Sequence, residues 1–299
     1  MTSLPRHLTE FPSIDSHFPF HMSINRLTDG YPAHRHDFFE FSLVIEGSGK
    51  EMINDDVHIM QPGTFTLVMP YQIHEIISSS NDPIRLVNCN FGMELFTRSS
   101  QFQGMNTLLF EVDEEWPAFF QYEDDQYNQV KSLIEDMFLE YNHANMWRKE
   151  LITAKLIEVL ITFDRSRRKQ ITDHKKVQMK KPEKTLIWDI IQFIHSNYRE
   201  TLSLPIISEH FNLSISSVST LFKHHIGQNF VELLHDIRIR HACSLLVSTD
   251  LNVTEVALES GFGSYKTFSR VFREHKKISP AQYRKNYTEN SSRKKENGL

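Results

Sequence analysis

The chain has 299 residues, 39% hydrophobic and 24% charged, with a formal net charge of −5. That length allows two cores; with no leader pattern and no apolar run long enough to cross a membrane, a cytoplasmic protein is expected. Two cysteines, Cys89 and Cys243, supply neither a disulfide framework nor a paired metal motif.

The front half predicts strands. Phe38 to Gly47 is a run of aromatic and β-branched residues ending in a turn glycine, and Glu51 to Ile59 reads as a hairpin around Asn54-Asp55. Pro62-Gly63 breaks the chain before a strand over Thr64–Met69, and Ile84–Phe91 is another. Many short strands with regular turns suggest a small barrel or sandwich. His34-x-His36-x-x-x-Glu40, Gly47, Pro62-Gly63 and Pro70-x-x-x-His74 together resemble the two cupin motifs, which implies a jelly roll. His34 and His36 should share one face of a strand, with Glu40 two residue pairs further along it and His74 on the facing strand. Imidazole with carboxylate suits Fe, Mn, Ni or Zn. Three readings stay open for His34, His36, Glu40 and His74: a metal set, a purely structural use, or, together with Phe38, the lining of a small-molecule pocket. The last is preferred, and no metal or cofactor is assigned.

Two helices should follow. Val130, Leu133, Ile134, Met137, Phe138 and Tyr141 form one apolar stripe. The next helix, from about Trp147 to Asp164, carries Ile152, Leu156, Val159, Leu160 and Phe163 on one face and Leu151, Ala154, Ile157 and Ile161 on another. A second stripe needs a second surface, so a homodimer through this helix is expected, the alternative being packing on the barrel. Residues 1–164 hold 10 Lys and Arg against 25 Asp and Glu, a net −15; 165–182 hold 8 against 1, a net +7; 183–299 hold 15 against 12, a net +3. DNA affinity comes largely from phosphate neutralisation, so any such binding belongs to the back of the chain. Arg165 to Lys184 has little apolar content and reads as a mobile basic tether.

The back half writes one signature twice. Ser214-Ile215-Ser216-Ser217-Val218-Ser219-Thr220-Leu221-Phe222-Lys223 is echoed fifty positions on by Ser264-Tyr265-Lys266-Thr267-Phe268-Ser269-Arg270-Val271-Phe272-Arg273. Ser214 and Ser264 are natural N-caps, and Val218, Leu221, Phe222 and Phe268, Val271, Phe272 fall at helical spacing on one buried stripe each. Leu204 to Phe211, with Ser203 as N-cap and Pro205 in the first turn, predicts a helix ahead of the first copy, with Asn212-Leu213 as the turn. Val253 to Ser260 and Gly261 do the same for the second copy. Phe230, Leu233, Leu234, Ile237, Ala242, Leu245 and Leu246 suit a long connecting helix that fixes the spacing of two helix-turn-helix units. A spacing of about 34 Å, one turn of DNA, would let both enter the same face.

Residues Ile187 to Lys285 resemble the DNA-binding domain of AraC/XylS-type bacterial transcription regulators. The resemblance rests on Arg238-Ile239-Arg240-His241-Ala242, Leu245-Leu246, Val256-Ala257, Gly261-Phe262, Phe268-Ser269-Arg270-Val271-Phe272 and Ser279-Pro280-Ala281-Gln282-Tyr283-Arg284. It implies an α+β two-domain chain. Residues 1–164 form a cupin-like jelly-roll domain with a helical hairpin for effector binding and dimerisation, and 165–184 a basic linker. Residues 185–287 form an all-α double helix-turn-helix domain, and 288–299 a disordered tail. Helical geometry places Ser216, Thr220 and Lys223 outward on the first reading helix, with Ser219 on the flank. On the second it places Lys266, Arg270 and Arg273 outward, Ser269 on the flank and Tyr265 nearer the buried side. Arg bonds guanine bidentately, so Arg270 and Lys266 are expected to carry sequence information, while Lys223 and Arg273 grip phosphate. Thr220 stands where the family often carries Arg, which weakens guanine reading by the first helix. The implied partners are promoter DNA, a small-molecule effector (a carbohydrate by family habit), RNA polymerase and a second copy of the chain, with no membrane. The implied function is a regulator of transcription, more often an activator, and not an enzyme. A metal-dependent cupin enzyme with a DNA-binding tail, or an architectural DNA-binding protein with no effector, are the alternatives.

Overall fold

Alternation in the front half builds two facing five-stranded sheets. The computed structural model describes residues 6–8, 18–53, 56–92, 94–97, 105, 108–109, 117–172 and 183–287. One sheet runs in the order β1 (Arg6–Leu8), β3 (Tyr31–His36), β8 (His74–Ser78), β5 (Gly49–Ile53), β6 (Asp56–Met60). The other runs β10 (Phe119–Gln121), β7 (Thr64–Val68), β4 (Phe39–Glu46), β9 (Ile84–Phe91), β2 (Phe20–Leu27). All pairings are antiparallel except β1 with β3. The hairpin tip expected at Asn54-Asp55 lies outside the described residues.

Residues from Phe39 to Val44 are buried on both faces of β4, because its sheet is covered twice. Successive side chains point to opposite faces. Phe39 and Phe41 stack with Phe91 and Phe65 on one side, where Phe65 meets Phe163 of a covering helix at 4.8 Å. Val44, on the other side, joins Met60, Ile76, Ile84 and Leu86 in a core drawn from both sheets. Glu40 and Ser42 share that inward face of β4, so the space between the sheets is apolar at one end and polar at the other.

The helical hairpin is α1 (Asp124–Asn142) and α2 (Arg148–Thr172). Val130, Ile134 and Met137 are buried on α1, and Ile152, Leu156, Val159, Leu160 and Phe163 on α2. The outer stripe of α2 stays open: Leu151 and Ala154 are exposed, Ile157 and Ile161 half-buried. The expected tether is corrected over 165–172, which are helical. Two of its arginines pair with one carboxylate of the same helix. Arg167 is buried, donates to Asp164 at 2.7 and 3.0 Å and to the Leu108 carbonyl at 3.3 Å, and lies over the Phe163 ring. Arg168 pairs with the same carboxylate at 2.6 Å. Such i,i+3 and i,i+4 pairs suit a helix that composition alone reads as polar chain. Residues 173–182 and 288–299, the rest of the expected linker and the expected tail, lie outside the described residues.

The chain divides between Trp188 and Asp189, a few residues beyond the expected start of the second domain at 185 and inside α3 (Glu183–Asn197). The second unit continues through α4 (Leu204–His210), α5 (Ile215–Leu221), a five-residue π turn (Phe222–Ile226), α6 (Phe230–Ser248), α7 (Val253–Glu259), α8 (Tyr265–Lys276) and a last helix over 280–287. The long connector α6 packs Phe230 on Phe222 at one end. At the other it joins Ala242, Cys243 and Leu246 to Val256, Ala257, Phe262, Phe268, Val271 and Phe272 in a single core. Asn229-Glu232 and Asn252-Glu255 form capping boxes at the starts of α6 and α7. Among the described residues no helix is long and apolar enough to cross a membrane.

Candidate effector pocket and DNA-reading face

The polar end of the inter-sheet space collects four histidines of the front half, His34, His36, His58 and His74. His34 sits opposite His74 in the β3–β8 register, and one ring nitrogen each from His34, His36 and His74 lies within 4.8 Å of the others. All three are buried. Glu40 is not further along the same strand, as the sequence suggested. The chain bends at Asp37-Phe38 and Glu40 starts the opposite sheet, bringing Oε2 to 3.4 Å from His36 Nε2 across the gap. Its other oxygen accepts from Asn88 Nδ2 at 2.7 Å. Phe38 stacks on His36 at 4.0 Å, closing the bend.

Three further residues complete the cluster. Glu51 lies 3.4 Å from His74 Nδ1 and 3.3 Å from His58 Nε2, and His58 lies 3.2 Å from Thr66 Oγ1 of the opposite sheet. These were legible in part: Glu51 and His58 face each other in the hairpin register and share its inward alternation with Ile53 and Met60.

Burial sets the protonation pattern. The His34 imidazole falls to about 4, through desolvation and repulsion from His74, and desolvation lowers His36. For His74 desolvation works the same way but is outweighed by the Glu51 hydrogen bond and the Glu40 and Glu51 charges, so its pKa rises. For Glu40 burial favours the neutral acid, yet the His36 hydrogen bond and the neighbouring histidine charges bring it down to about 2. The result is a buried polar cluster in which carboxylates and imidazoles hold one another.

In the second unit both signature serines cap as expected: Ser214 accepts from the Ser217 amide at 3.0 Å and Ser264 from the Thr267 amide at 3.2 Å. Ser203 holds the extended N-cap conformation ahead of α4, but its side chain makes no capping bond. The turns take left-handed residues, Asn212 at φ 54° and Gly261 at φ 84°. A Cβ at Gly261 would stand 2.6 Å from the Tyr198 carbonyl oxygen, so the position admits only glycine. Arg238 of α6 donates to that same carbonyl and to the Glu200 carbonyl, both at 2.8 Å.

Ser216, Ser219 and Thr220 of α5 are exposed. Lys223 is exposed too, but it rides on the π turn and not on the α-helix expected through it. On α8, Lys266, Arg270 and Arg273 are exposed and Ser269 half-buried. Tyr265 is 47% exposed, a correction to its expected inward lean, since it opens the helix ahead of the stripe that Phe268 begins. Glu274, which the sequence reading passed over, receives two bonds from Arg270 Nη1 at 2.7 and 2.9 Å and joins Tyr265, Lys266, Ser269, Arg270 and Arg273 in lining one open groove.

A two-sheet sandwich with a buried polar cluster, followed in one chain by twin helix-turn-helix units, defines a sensor-type DNA-binding protein. Residues 23–151 match the family described as an AraC-like ligand binding domain, and residues 207–286 match the helix-turn-helix domain. The chain therefore belongs to the AraC family of transcription regulators. It is similar to the HTH-type transcriptional activator RhaS of Enterobacter sp. (strain 638), 25% identical over 92% of this chain and 94% of that one. It is also similar to the HTH-type transcriptional activator RhaR of Mannheimia succiniciproducens, 22% identical over 86% and 88%. Among solved structures it is similar to ToxT from Vibrio cholerae O395, 15% identical over 89% of this chain and 96% of that one, with a TM-score of 0.42.

Proposed function

We propose that this regulator activates transcription by placing α5 and α8 in successive stretches of major groove, under the control of a small polar molecule held between the two sheets. The observation that carries the reading is the repeated capped helix: two copies, each with its apolar stripe buried and its polar residues open to solvent. Arg270 and Lys266 read bases, with Ser216, Ser219, Thr220, Tyr265 and Ser269 making weaker contacts, and Lys223 and Arg273 hold phosphate. The Arg270–Glu274 pair is exposed on both sides, so it is worth a few tenths of a kcal/mol and gives way readily to a base edge. His34, His36, Phe38, Glu40 and His74 line the effector site, whose mixed donors and acceptors suit a hydroxylated ligand such as a carbohydrate. The activator names of the relatives support contact with RNA polymerase, and the open stripe of α2 supports a homodimer.

Footprinting on the chain's own upstream DNA, with and without a panel of sugars and other polar metabolites, tests this. Two protected segments about one helical turn apart, altered by one ligand, are expected. Arg270→Ala should weaken binding roughly 10- to 100-fold and relax specificity at one base pair, whereas Lys223→Ala should weaken all sequences alike and lower the salt slope by about 1. Equal protection of promoter and bulk DNA would reject the reading.

A further inference from the structure

The last turn of α8 carries a histidine whose two ring nitrogens both face acceptors. His275 Nδ1 lies 2.8 Å from the Val271 carbonyl oxygen, and Nε2 lies 3.0 Å from Asp236 Oδ1 on the connecting helix α6. A neutral imidazole has one N–H and can serve only one of them; the doubly protonated ring serves both. The surroundings favour that cation. Asp236 supplies a carboxylate, and the C-terminal end of a helix attracts positive charge. The other Asp236 oxygen accepts from Gln228 Nε2 at 3.2 Å, in the turn that follows the first reading unit. One carboxylate on the connector therefore touches both units. We propose that Asp236 and His275 are positioning residues for DNA reading: as an ion pair they fix how α8 sits on α6, and loss of the ring's second proton releases it.

This role rests on the reading that α5 and α8 enter the groove together. Phe268, Val271 and Phe272 hold α8 to α6 through a core whose α6 members run from Ile239 to Leu246. Asp236 lies before that stretch, so its bond fastens α8 at a separate point. Being directional, that bond resists a rotation that apolar contact allows. The charged and titratable groups acting on the ring are Asp236 and His235 of α6 and Glu274 of α8, with Arg238 and Arg270 acting on His235. The Asp236 hydrogen bond first, then the Val271 carbonyl and the Asp236 and Glu274 charges, outweigh desolvation and raise the His275 pKa. Desolvation, followed by the His275, Arg238 and Arg270 charges, lowers His235 and keeps it neutral. The ion pair is therefore complete at and below the ordinary imidazole value of 6.5 and is lost as pH climbs through the raised one.

The test uses the full chain, on a short duplex that the parent selects from a randomised pool and on an unselected duplex of equal length. Between about pH 6 and about pH 9 the parent's affinity for the selected duplex should fall about tenfold as pH rises, and its affinity for the unselected one by less. Asp236→Asn makes the domain more positive, so electrostatic attraction alone would tighten binding to both duplexes. Positioning requires the opposite: about tenfold weaker binding of the selected duplex at about pH 6, with the pH response gone. His275→Gln should bind at every pH as the parent does at the alkaline end. His143→Gln, an exposed histidine of the front unit, should keep the parent's profile. NMR titration of the DNA-free parent should show one imidazole signal, absent from His275→Gln, that titrates above 6.5 and drops in Asp236→Asn. The two failures are separable. A parent that selects no duplex rejects the DNA reading itself, and this role with it. A parent that selects one, yet responds to pH as Asp236→Asn does or shows His275 titrating at or below 6.5, overturns the positioning role alone.

Discussion

His195 on α3 is buried, and its Nε2 has no hydrogen-bond partner. Desolvation alone brings its imidazole down to about 4 from the ordinary 6.5. Above pH 6.5 folded and unfolded chains both hold it neutral, so it has no effect there. As pH falls below 6.5 the unfolded chain takes up a proton that the folded chain refuses until about 4, so stability is lost progressively across that window. The loss reaches about 3 kcal/mol at its lower end. Thermal unfolding at pH 7.5 and pH 5 should therefore show a drop in Tm for the parent several degrees larger than for His195→Leu; equal drops would refute it. Single residues were unevenly readable from sequence. Ser214, Ser264, Asn212 and Gly261 announced themselves, because caps and left-handed turns demand particular side chains within a few positions. Glu40 was assigned to the wrong wall, because nothing local marks Asp37-Phe38 as the bend where one strand becomes two.

Element boundaries show where composition misleads. The arginine-rich stretch after Asp164 looked like a tether, yet α2 carries it on to Thr172 because one carboxylate serves two guanidiniums and Arg167 sits over the Phe163 ring. Removing that carboxylate strands a buried cation. Asp164→Ala should destabilise the first unit by about 3 kcal/mol, while Asp164→Leu combined with Arg167→Met should recover most of the loss. Thermal melts of the two variants beside the parent decide it, and a milder effect of Asp164→Ala than of the pair would contradict the account. Strands β4, β7 and β9 and helices α4, α5, α7 and α8 were legible, since each combines clean periodicity with a turn or cap signal. The switch from α-helix to π turn at Phe222 was not, because a one-residue change of winding leaves the apolar spacing nearly intact.

At the scale of the molecule, acidic front and basic back match a division into ligand sensing and DNA binding, which the unequal charge of the two halves makes readable in the sequence. The open stripe of α2 gives the remaining prediction. The parent should sediment as a dimer and Ile157→Glu as a monomer, with the melting of each unit unchanged; a variant that remains dimeric would move the interface elsewhere. The turn at Asp37 and Phe38 matters here as well. Because the chain crosses from one wall of the sandwich to the other within two residues, His36 and Glu40, only four positions apart, face each other from opposite sheets. A ligand at the proposed effector site would therefore meet side chains of both walls through one short stretch of chain.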